Sequence, residues 1–443
     1  MPFLVHSEQD IRDMLRVIGV EDIEQLLINI PEDLRFTRSL NIPQAISEIE
    51  LTQIVEALGK KNRLGISFLG GGAYDHHIPA VIDSIISRSE FYTAYTPYQP
   101  EVSQGSLQAI YEFQSMICEL TQMEVTNASM YDGGSALAEA MLLACHHTGK
   151  KRVLVSDKVN NRYKNILRTY VHHNDIKIDI LGGDGFKTNP QAVQDNMTEE
   201  VAAVIIQHPN YFGYLEEVYE ISTILQKSRA LFIVHYDPIS LGLLAPPGEY
   251  GADIAIAEGQ SLGNHQNFGG PFIGLFSTRE EFIRRIPGRL SGLTHDIDGN
   301  QGFVLTLQTR EQHIRREKAT SNICTNSGLL ALAATVYLAI MGKEGLKEVA
   351  QLCLQKSHYL ADQLTHIAGI DVVGDISFFK EFVVRFPISA EKILSRLQEI
   401  DILGGIPLSK LGYDNCLLIT VTEKRTREEM DNYVSKIKQV LGV

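Results

Sequence analysis

Short apolar runs separated by helical stretches fill the chain from about residue 64 to residue 341. Several runs are continuously apolar instead of alternating, which is typical of strands that helices cover on both faces. The predicted strands are Val153–Ser156, Ile176–Leu181, Val201–Gln207, Leu231–His235, Ile254–Ala257 and Phe272–Phe276. Between them, segments such as Ala136–His146 and Tyr219–Lys227 have apolar residues at helical spacing. The pattern predicts a large α/β domain over residues 64–341 with a mostly parallel sheet.

Different patterns precede and follow this central region. Residues 1–63 are acidic and interrupted by prolines, which predicts an N-terminal segment of several short helices. Residues 342–443 predict a small C-terminal α/β domain, whose last helix begins with a capping box of Thr426 and Glu429. The predicted elements of this domain are the strands Phe382–Phe386 and Cys416–Val421 and the helices Ala390–Glu399 and Arg427–Leu441.

Composition narrows the class of protein. The 443 residues include 40 Lys+Arg and 54 Asp+Glu, for a net charge of −14. An acidic chain without a basic run lacks the positive surface that nucleic acids and anionic membranes attract. No stretch reaches the roughly 18 consecutive apolar residues of a membrane span, and the N-terminus does not resemble a signal sequence. Five scattered cysteines without CxxC spacing indicate free thiols, so we expect a cytoplasmic protein that binds neither nucleic acid nor membrane.

Motifs for common cofactors and metals are missing. The sequence contains no GxGxxG, no GxxxxGK[ST] and no GxSxG. No motif therefore favours dinucleotide binding, P-loop hydrolysis or α/β-hydrolase chemistry. Three pairs of adjacent histidines occur, at His76–His77, His146–His147 and His172–His173. Adjacent side chains point to different faces, whereas metal sites favour wider spacings. We therefore expect polar residues at loops and helix ends, and no metal site.

Two short segments could bind a ligand. Asp132–Ser135 leads directly into a predicted helix, where free backbone N–H groups favour an anion. A simple helix cap formed with Ser135 explains the same residues equally well, so both interpretations stay open. Tyr92–Gly105 combines tyrosines, glutamines and prolines in a stiff polar loop of the kind that positions ligand contacts, although a purely structural loop remains an alternative.

Taken together, four segments resemble the P-protein family of the glycine cleavage system, and within it the N-terminal subunit of two-chain glycine decarboxylases. These segments are Phe68–Pro79, Tyr95–Gly105, Asn127–Gly133 and Arg316–Asn326, and the resemblance extends over most of the chain. It implies a fold-type-I transferase architecture dependent on pyridoxal phosphate (PLP): a large, mostly parallel sheet domain and a small C-terminal α/β domain. It also implies decarboxylation of glycine, with PLP as the electron sink, and transfer of the aminomethyl group to the lipoyl arm of H-protein.

The same resemblance exposes a missing residue. In PLP enzymes of this fold an aspartate at a strand end pairs with the pyridine nitrogen, and a later lysine forms the Schiff base. Asp237 matches the aspartate, but residues 251–263 resemble the lysine segment with Gln260 at the lysine position. No lysine lies between Lys227 and Lys318. Because a carboxamide is not a nucleophilic amine, the chain is not expected to be active alone.

The family implies how the deficit is filled. A homologous second subunit would carry the lysine and the PLP, and the two kinds of subunit would form an active heterotetramer that uses glycine and lipoylated H-protein. The residues of this chain predicted to support the shared active site are Tyr95, Tyr98, Gln99, Glu101 and Gln104. Those that would mark a remnant cofactor pocket, with ordinary folding roles, are Gly134, Ser135, Asp237 and Gln260.

Two alternative functions follow from the same residues. The chain could be a purely structural scaffold that contributes nothing to an active site. It could also be a self-sufficient PLP enzyme, which the lysine-free stretch after Asp237 disfavours.

Overall fold

The computed structural model describes residues 5–36, 38–183, 185–374 and 377–442. The chain divides into two compact units, Met1–Arg63 and Leu64–Val443. The first unit ends at the same residue as the predicted N-terminal segment. The predicted division of the remainder at residue 342 stays a prediction, since residues 64–443 pack together as one unit.

Local capping supports the helices of the N-terminal unit. These are α1, Glu8–Ile18, and α2, Glu48–Gly59. Each begins with a reciprocal capping box, formed by Ser7 and Asp10 in α1 and by Ser47 and Glu50 in α2. Among the described residues of this unit only Leu15 is buried, although many of the others are large and apolar. The described part of this unit therefore consists of short helices without a core of its own.

The second unit contains the remaining helices and all the strands of the described chain. Its helices are α3 Ala80–Ile86, α4 Ser89–Tyr92, α5 Gln104–Thr121, α6 Gly133–Thr148, α7 Asn161–Val171, α8 Pro190–Asn196, α9 Val218–Leu225, α10 Gln312–Arg315, α11 Gly328–Thr365, α12 Ala390–Gln398 and α13 Arg427–Leu441. Its strands are β1 Ile66–Ser67, β2 Val125–Thr126, β3 Arg152–Ser156, β4 Lys177–Leu181, β5 Val201–His208, β6 Leu231–Tyr236, β7 Ile254–Glu258, β8 Gly274–Thr278, β9 Leu290–His295, β10 Gln301–Thr306, β11 Asp371–Val373, β12 Glu381–Arg385, β13 Ile402–Leu403, β14 Ile406–Pro407 and β15 Cys416–Thr420.

Seven strands form the central sheet, in the order β2-β8-β7-β6-β5-β3-β4. Strands β7, β6, β5, β3 and β4 run parallel, whereas β8 is antiparallel to both neighbours. Helices α6 and α7 cover one face, and α5 and α11 cover the other. This double cover explains why every residue of β6 is buried and why its first four residues, Leu231 to Val234, are all apolar. The six predicted strands are confirmed, each close to its predicted bounds.

A second sheet lies in the C-terminal part of the chain. It is antiparallel, in the order β11-β12-β15-β14. Helices α12 and α13 pack on it through residues such as Ile393 and Tyr433, which share a core cluster with Phe382 and Leu418. The predicted capping box of Thr426 starts α13, since its side chain accepts from the Glu429 N–H. The small α/β arrangement predicted for this region is thus present.

Helix α11 packs against both sheets. It is kinked at Gly342, where the backbone adopts a positive φ of 56°. By length and composition, α11 is the one helix of the described residues that could cross a membrane. Its apolar side chains have another role, because Ala331 and Tyr337 are buried beside the central sheet and Leu360 and Leu364 are buried beside the small one. The helix therefore forms the core between the two sheets.

Candidate functional site

The carboxyl ends of the central parallel strands carry the polar residues predicted for the cofactor pocket. Asp237 directly follows β6, Glu258 ends β7, and Gln260 lies two residues further on. Helix α6 begins beside them, and the N–H of Gly133 donates to the Glu258 carboxylate at 3.0 Å. In open α/β sheets this edge is where ligands bind. The fold thus brings Asp237, Gln260 and the start of α6 to one cleft.

A lysine from the beginning of the small sheet is paired with Asp237. The ammonium nitrogen of Lys380 lies 2.6 Å from Oδ2 of Asp237, with the side chains only 1% and 11% exposed. The same nitrogen lies 3.6 Å from the centre of the Tyr74 ring, a cation–π contact. Removing either charge would leave the other one alone in the interior, which is strongly destabilising. The pair therefore ties the end of β6 to the start of β12.

His76 and Glu423 extend this pair into a network. Nζ of Lys380 lies 3.0 Å from Nε2 of His76, and Nδ1 of His76 lies 2.6 Å from the Glu423 carboxylate. Burial favours protonation of Glu423, but the hydrogen bond from His76 and that from the His77 N–H outweigh it and lower the pKa of Glu423 to about 2. Glu423 is therefore ionised at neutral pH, and charged or polar groups follow one another from Asp237 to Glu423.

Glu381, the residue after Lys380, closes the neighbouring side of the cleft. Its carboxylate accepts from the Tyr74 hydroxyl at 2.8 Å, the Thr420 hydroxyl at 2.9 Å and the Gly71 N–H at 2.8 Å. Burial raises the pKa of Glu381, and the Gly71 donor opposes that effect. These bonds attach the turn at Gly70–Gly72 to the small sheet.

The carboxamide of Gln260 is engaged by backbone groups. Its Oε1 accepts from the Tyr74 N–H at 2.8 Å, and its Nε2 donates to the carbonyls of Tyr74 at 3.2 Å and Asn264 at 2.7 Å. The residue is 2% exposed. At the position where the resemblance expects a lysine, this side chain instead holds two loops together.

A carboxylate also fills the start of α6. Besides Gly133, Glu258 accepts from the N–H groups of Gln260 and Ile273, at 3.1 and 3.2 Å. Burial raises the pKa of Glu258 to about 8, although the Gly133 and Ile273 donors act in the opposite direction. Glu258 therefore occupies the donor groups that would otherwise attract an anion to this helix start.

Ser135 and Gly134 have local roles at the same helix start. The N–H of Ser135 donates to the Asp132 carboxylate at 2.7 Å, and its hydroxyl accepts from the Asp132 N–H at 3.3 Å, which is a capping box. A Cβ on Gly134 would lie 2.4 Å from Cδ1 of Ile166 on α7, so a larger residue would require that side chain to move. These contacts favour the helix-cap interpretation of Asp132–Ser135 over the anion site.

The cleft does not accommodate PLP. Its cavity, lined by Tyr74, Asp237, Glu258 and Lys380 among others, has a volume of about 20 Å³, which is room for roughly one water molecule. The Lys380 ammonium lies where a pyridine nitrogen would have to approach Asp237, and Gln260 offers no amine for a Schiff base. The residues present therefore do not fit the cofactor that the resemblance associates with this fold.

His76, Cys353 and Glu423 could also be considered as metal ligands. Their donor atoms lie within 4.8 Å of one another, and they are the group with this property among the described residues. The ammonium of Lys380 contacts His76 on its other nitrogen, and a positive charge so close opposes a metal cation. The contacts are better explained by the ionic network around Asp237.

The tyrosine-rich loop before α5 differs from this closed cleft. All five of the predicted active-site residues are exposed: Tyr95, Tyr98, Gln99, Glu101 and Gln104. Tyr95 is 83% exposed. Gln104 is used within the chain, because its side chain donates to the carbonyls of Pro100 and Phe303 and accepts from the Phe303 N–H. Gln104 thus fixes the start of α5 against β10, while the other four side chains remain accessible.

A larger cavity lies beside this loop. Its volume is about 290 Å³, and it is bounded by the loop, α5 and the start of α11. Tyr95, Thr96 and Pro97 line it together with Thr325 and Asn326. Two of the segments that carried the family resemblance therefore meet here, although they are far apart in the chain. The cavity shares no lining residue with the closed cleft.

Several residues of the site were not identified from the sequence. Lys380, Glu381 and Glu423 carry no motif and lie far from Asp237 along the chain. His76 was noted only as one of a histidine pair. Arg289, which contacts Tyr98 at 3.0 Å, also has no sequence signal beyond its charge.

Sequence comparisons give one family for the whole chain. The family described as "Glycine cleavage system P-protein" matches residues 1–437. A protein of Chloroherpeton thalassium named "Probable glycine dehydrogenase (decarboxylating) subunit 1" is 52% identical over 443 residues, which cover 99% of this chain and 100% of that protein. A protein of the same name from Moorella thermoacetica is 48% identical over 444 residues and covers 100% of both chains.

Solved structures give the same result for the fold. A crystal structure of glycine decarboxylase (P-protein) of the glycine cleavage system, in inhibitor-bound form, matches with a TM-score of 0.93 and 41% identity over 99% of this chain and 100% of that chain. The glutamate decarboxylase of Lactobacillus brevis matches with a TM-score of 0.70 and 10% identity over 93% of this chain and 96% of that chain, which concerns the fold alone. The predicted fold-type-I architecture is confirmed.

The buried pair makes a prediction about stability. Lys380→Met leaves the Asp237 carboxylate without its cation, so we expect the free energy of unfolding to fall by about 3–5 kcal/mol. Adding Asp237→Asn should recover part of that loss, because no lone charge then remains. Urea unfolding of the purified chain measures both effects.

Lys151→Met is the matched control, since Lys151 pairs with Asp175 at 2.9 Å on the surface, where the two side chains are 62% and 87% exposed. Exposed pairs contribute little, so this variant should unfold like the unmodified chain. Equal stability of Lys380→Met and Lys151→Met would refute the role given to the pair.

Proposed function

This chain belongs to the glycine cleavage system P-protein family, and we propose that it is the subunit without the cofactor-binding lysine, which completes an active site carried mainly by a homologous subunit. As a member of this family it is a subunit of glycine dehydrogenase (decarboxylating). The observation that carries the proposal is the pairing of Asp237 with Lys380, together with Gln260 at the lysine position. A chain built in this way depends on a partner for the chemistry.

The cofactor assignment follows from the same contacts. The PLP enzymes among the structural neighbours associate the fold with PLP, whereas the cleft of this chain is filled by its own side chains. We assign PLP to the partner subunit, which would also supply the Schiff-base lysine. This chain would then hold no cofactor covalently.

Exposed apolar surface supports the partner assignment. Large apolar side chains are exposed along the N-terminal unit, and Tyr92 and Tyr95 are exposed beside the tyrosine-rich loop, at 58% and 83%. Within the N-terminal unit, a group of large apolar side chains left exposed in this way is typical of a segment that packs on another protein. The words "subunit 1" in the names of the relatives also imply a second subunit. We propose a heterotetramer with two copies of each subunit, in which the tyrosine-rich loop faces the partner's cofactor.

The reaction assigned to the assembly is that of the glycine cleavage system. Glycine loses its carboxylate as CO2, and the remaining aminomethyl group passes to a sulfur of the lipoyl arm, whose other sulfur becomes a thiol. Lipoylated H-protein is therefore the proposed second partner. The cysteines of the described residues form no disulfide, which supports a location in a reducing compartment, and we place the assembly in the cytoplasm.

A pure scaffold is the second candidate function, and Gln104 favours it. This residue was predicted to support the active site, yet its carboxamide is bonded within the chain to Pro100 and Phe303. The exposure of Tyr95 and Tyr98 favours the shared site instead. Substitution of the exposed residues separates the two functions.

Co-expression tests the division of labour. This chain and a homologous chain that carries the missing lysine should purify as one complex that catalyses glycine–bicarbonate exchange, and each chain alone should be inactive. Exchange by this chain alone, or failure of the two chains to associate, would contradict the proposal.

Tyr95→Ala tests the shared site within that complex. Because Tyr95 is exposed, the variant should fold and assemble normally, and we expect its exchange rate to fall by roughly tenfold or more if the side chain positions a reacting group. Tyr219→Ala is the control, because Tyr219 is also an exposed tyrosine, at 55%, but lies on α9. An intact complex in which both variants exchange at the unmodified rate would establish the scaffold function.

A further inference from the structure

Arg289 connects three segments of the functional region from inside the fold. It directly precedes β9, and its side chain is 3% exposed. The guanidinium donates to the Tyr98 hydroxyl at 3.0 Å, the Thr325 hydroxyl at 2.9 Å and the Cys324 carbonyl at 2.8 Å. Its backbone carbonyl accepts from the Ala128 N–H at 2.9 Å. One buried residue therefore contacts the segments Tyr95–Gly105, Asn127–Gly133 and Arg316–Asn326.

Glu311 holds the guanidinium from the opposite side. Its Oε2 lies 3.3 Å from Nε of Arg289, and its side chain is 9% exposed. The other carboxylate oxygen is buried and accepts no hydrogen bond from the described residues. A buried carboxylate oxygen without a donor is destabilising. Stability alone therefore does not explain why a charged pair occupies this position.

The groups that Arg289 holds are accessible, although Arg289 is not. Tyr98 is 45% exposed, and Thr325 is exposed and lines the cavity of about 290 Å³. The Tyr98 oxygen accepts from Arg289, and the hydroxyl donates no hydrogen bond to the described residues. The buried guanidinium thus fixes the hydroxyl groups of two residues that are themselves exposed, one of which lines the cavity.

We infer that Arg289 is a positioning residue of the shared active site and that it acts through Tyr98 and Thr325. The inference rests on the proposed function, because the two hydroxyls would act on groups bound by the partner subunit. Arginine suits the position since its rigid planar fork reaches several acceptors in fixed directions, whereas a lysine ammonium is a single point charge on a flexible chain. Small displacements of positioned groups reduce rates by up to about a hundredfold.

The test compares Arg289→Lys with Arg152→Lys in the reconstituted complex. Arg152 donates to the Asp179 carboxylate, the Thr198 hydroxyl and the Asn196 carbonyl, the same kinds of acceptor that Arg289 contacts. Both variants should assemble with the partner. Arg289→Lys should lower the turnover of glycine–bicarbonate exchange by roughly ten- to a hundredfold, and Arg152→Lys should leave it within about twofold, because none of its acceptors lies beside the tyrosine-rich loop.

A double substitution separates positioning from general damage. If Arg289 acts through Tyr98, the losses of turnover caused by Tyr98→Phe and by Arg289→Lys should not multiply. The double variant should then be about as slow as the slower single variant. Multiplied losses, or equal turnover of Arg289→Lys and Arg152→Lys in an active complex, would overturn the inference. Inactivity of the unmodified complex would refute the proposed function itself.

Glu311→Gln provides a second route if Arg289→Lys does not fold. The substitution keeps the shape of the side chain and removes the charge that holds the guanidinium. Turnover should fall by a smaller factor than for Arg289→Lys, again without multiplying the effect of Tyr98→Phe. Unchanged turnover in an assembled complex would overturn the inference equally.

Discussion

The ammonium of Lys380 and the carboxylate of Asp237 meet at the centre of the fold, 2.6 Å apart and almost completely buried. Asp237 ends a strand of the central sheet, and Lys380 leads into a strand of the small sheet, so the pair fixes the two sheets to each other. Because neither charge is stable there alone, the contact cannot be lost without disturbing the packing around it. His76, Glu423, Tyr74 and Glu381 are arranged around this pair.

The chain keeps the architecture of its fold, but the cleft in which ligands usually bind is filled by its own side chains. The edge of the sheet where ligands usually bind is occupied by Lys380, Glu258 and Gln260, each satisfied by contacts within the chain. The accessible polar groups lie elsewhere, on the tyrosine-rich loop and beside the cavity that Thr325 lines. A catalytic fold that is closed at its own site and open at a neighbouring surface is suited to support the site of a partner.

Local patterns predicted much of the fold. The continuous apolar runs of β5 and β6 encode burial on both faces, and Thr426 with Glu429 encodes the start of α13, since both signals arise from neighbouring residues. The hairpin of β9 and β10 was missed, because Leu290–His295 has only two large apolar residues, Leu290 and Leu293, and so gives little strand signal.

The contacts of the site were less predictable. Asp237 and Gln260 were predicted through the family resemblance, but the lysine-free stretch around them ends at Lys318, well before Lys380. Lys380 reaches Asp237 only because the small sheet packs against the central one, a contact that no spacing in the sequence encodes. Gln104 makes further contacts that the sequence did not predict, since its carboxamide is bonded to the backbone of β10, and its role in an active site stays a prediction.

The most direct measurement of the central claim is covalent trapping of the cofactor. The purified chain is incubated with PLP and reduced with borohydride, and phosphopyridoxyl-lysine is then mapped by peptide mass spectrometry. If the Lys380 ammonium stays paired with Asp237 and no other lysine takes the Schiff-base role at the position of Gln260, only trace label spread over exposed lysines is expected. One phosphopyridoxyl group per chain at a single lysine, above all at Lys380, would contradict the account.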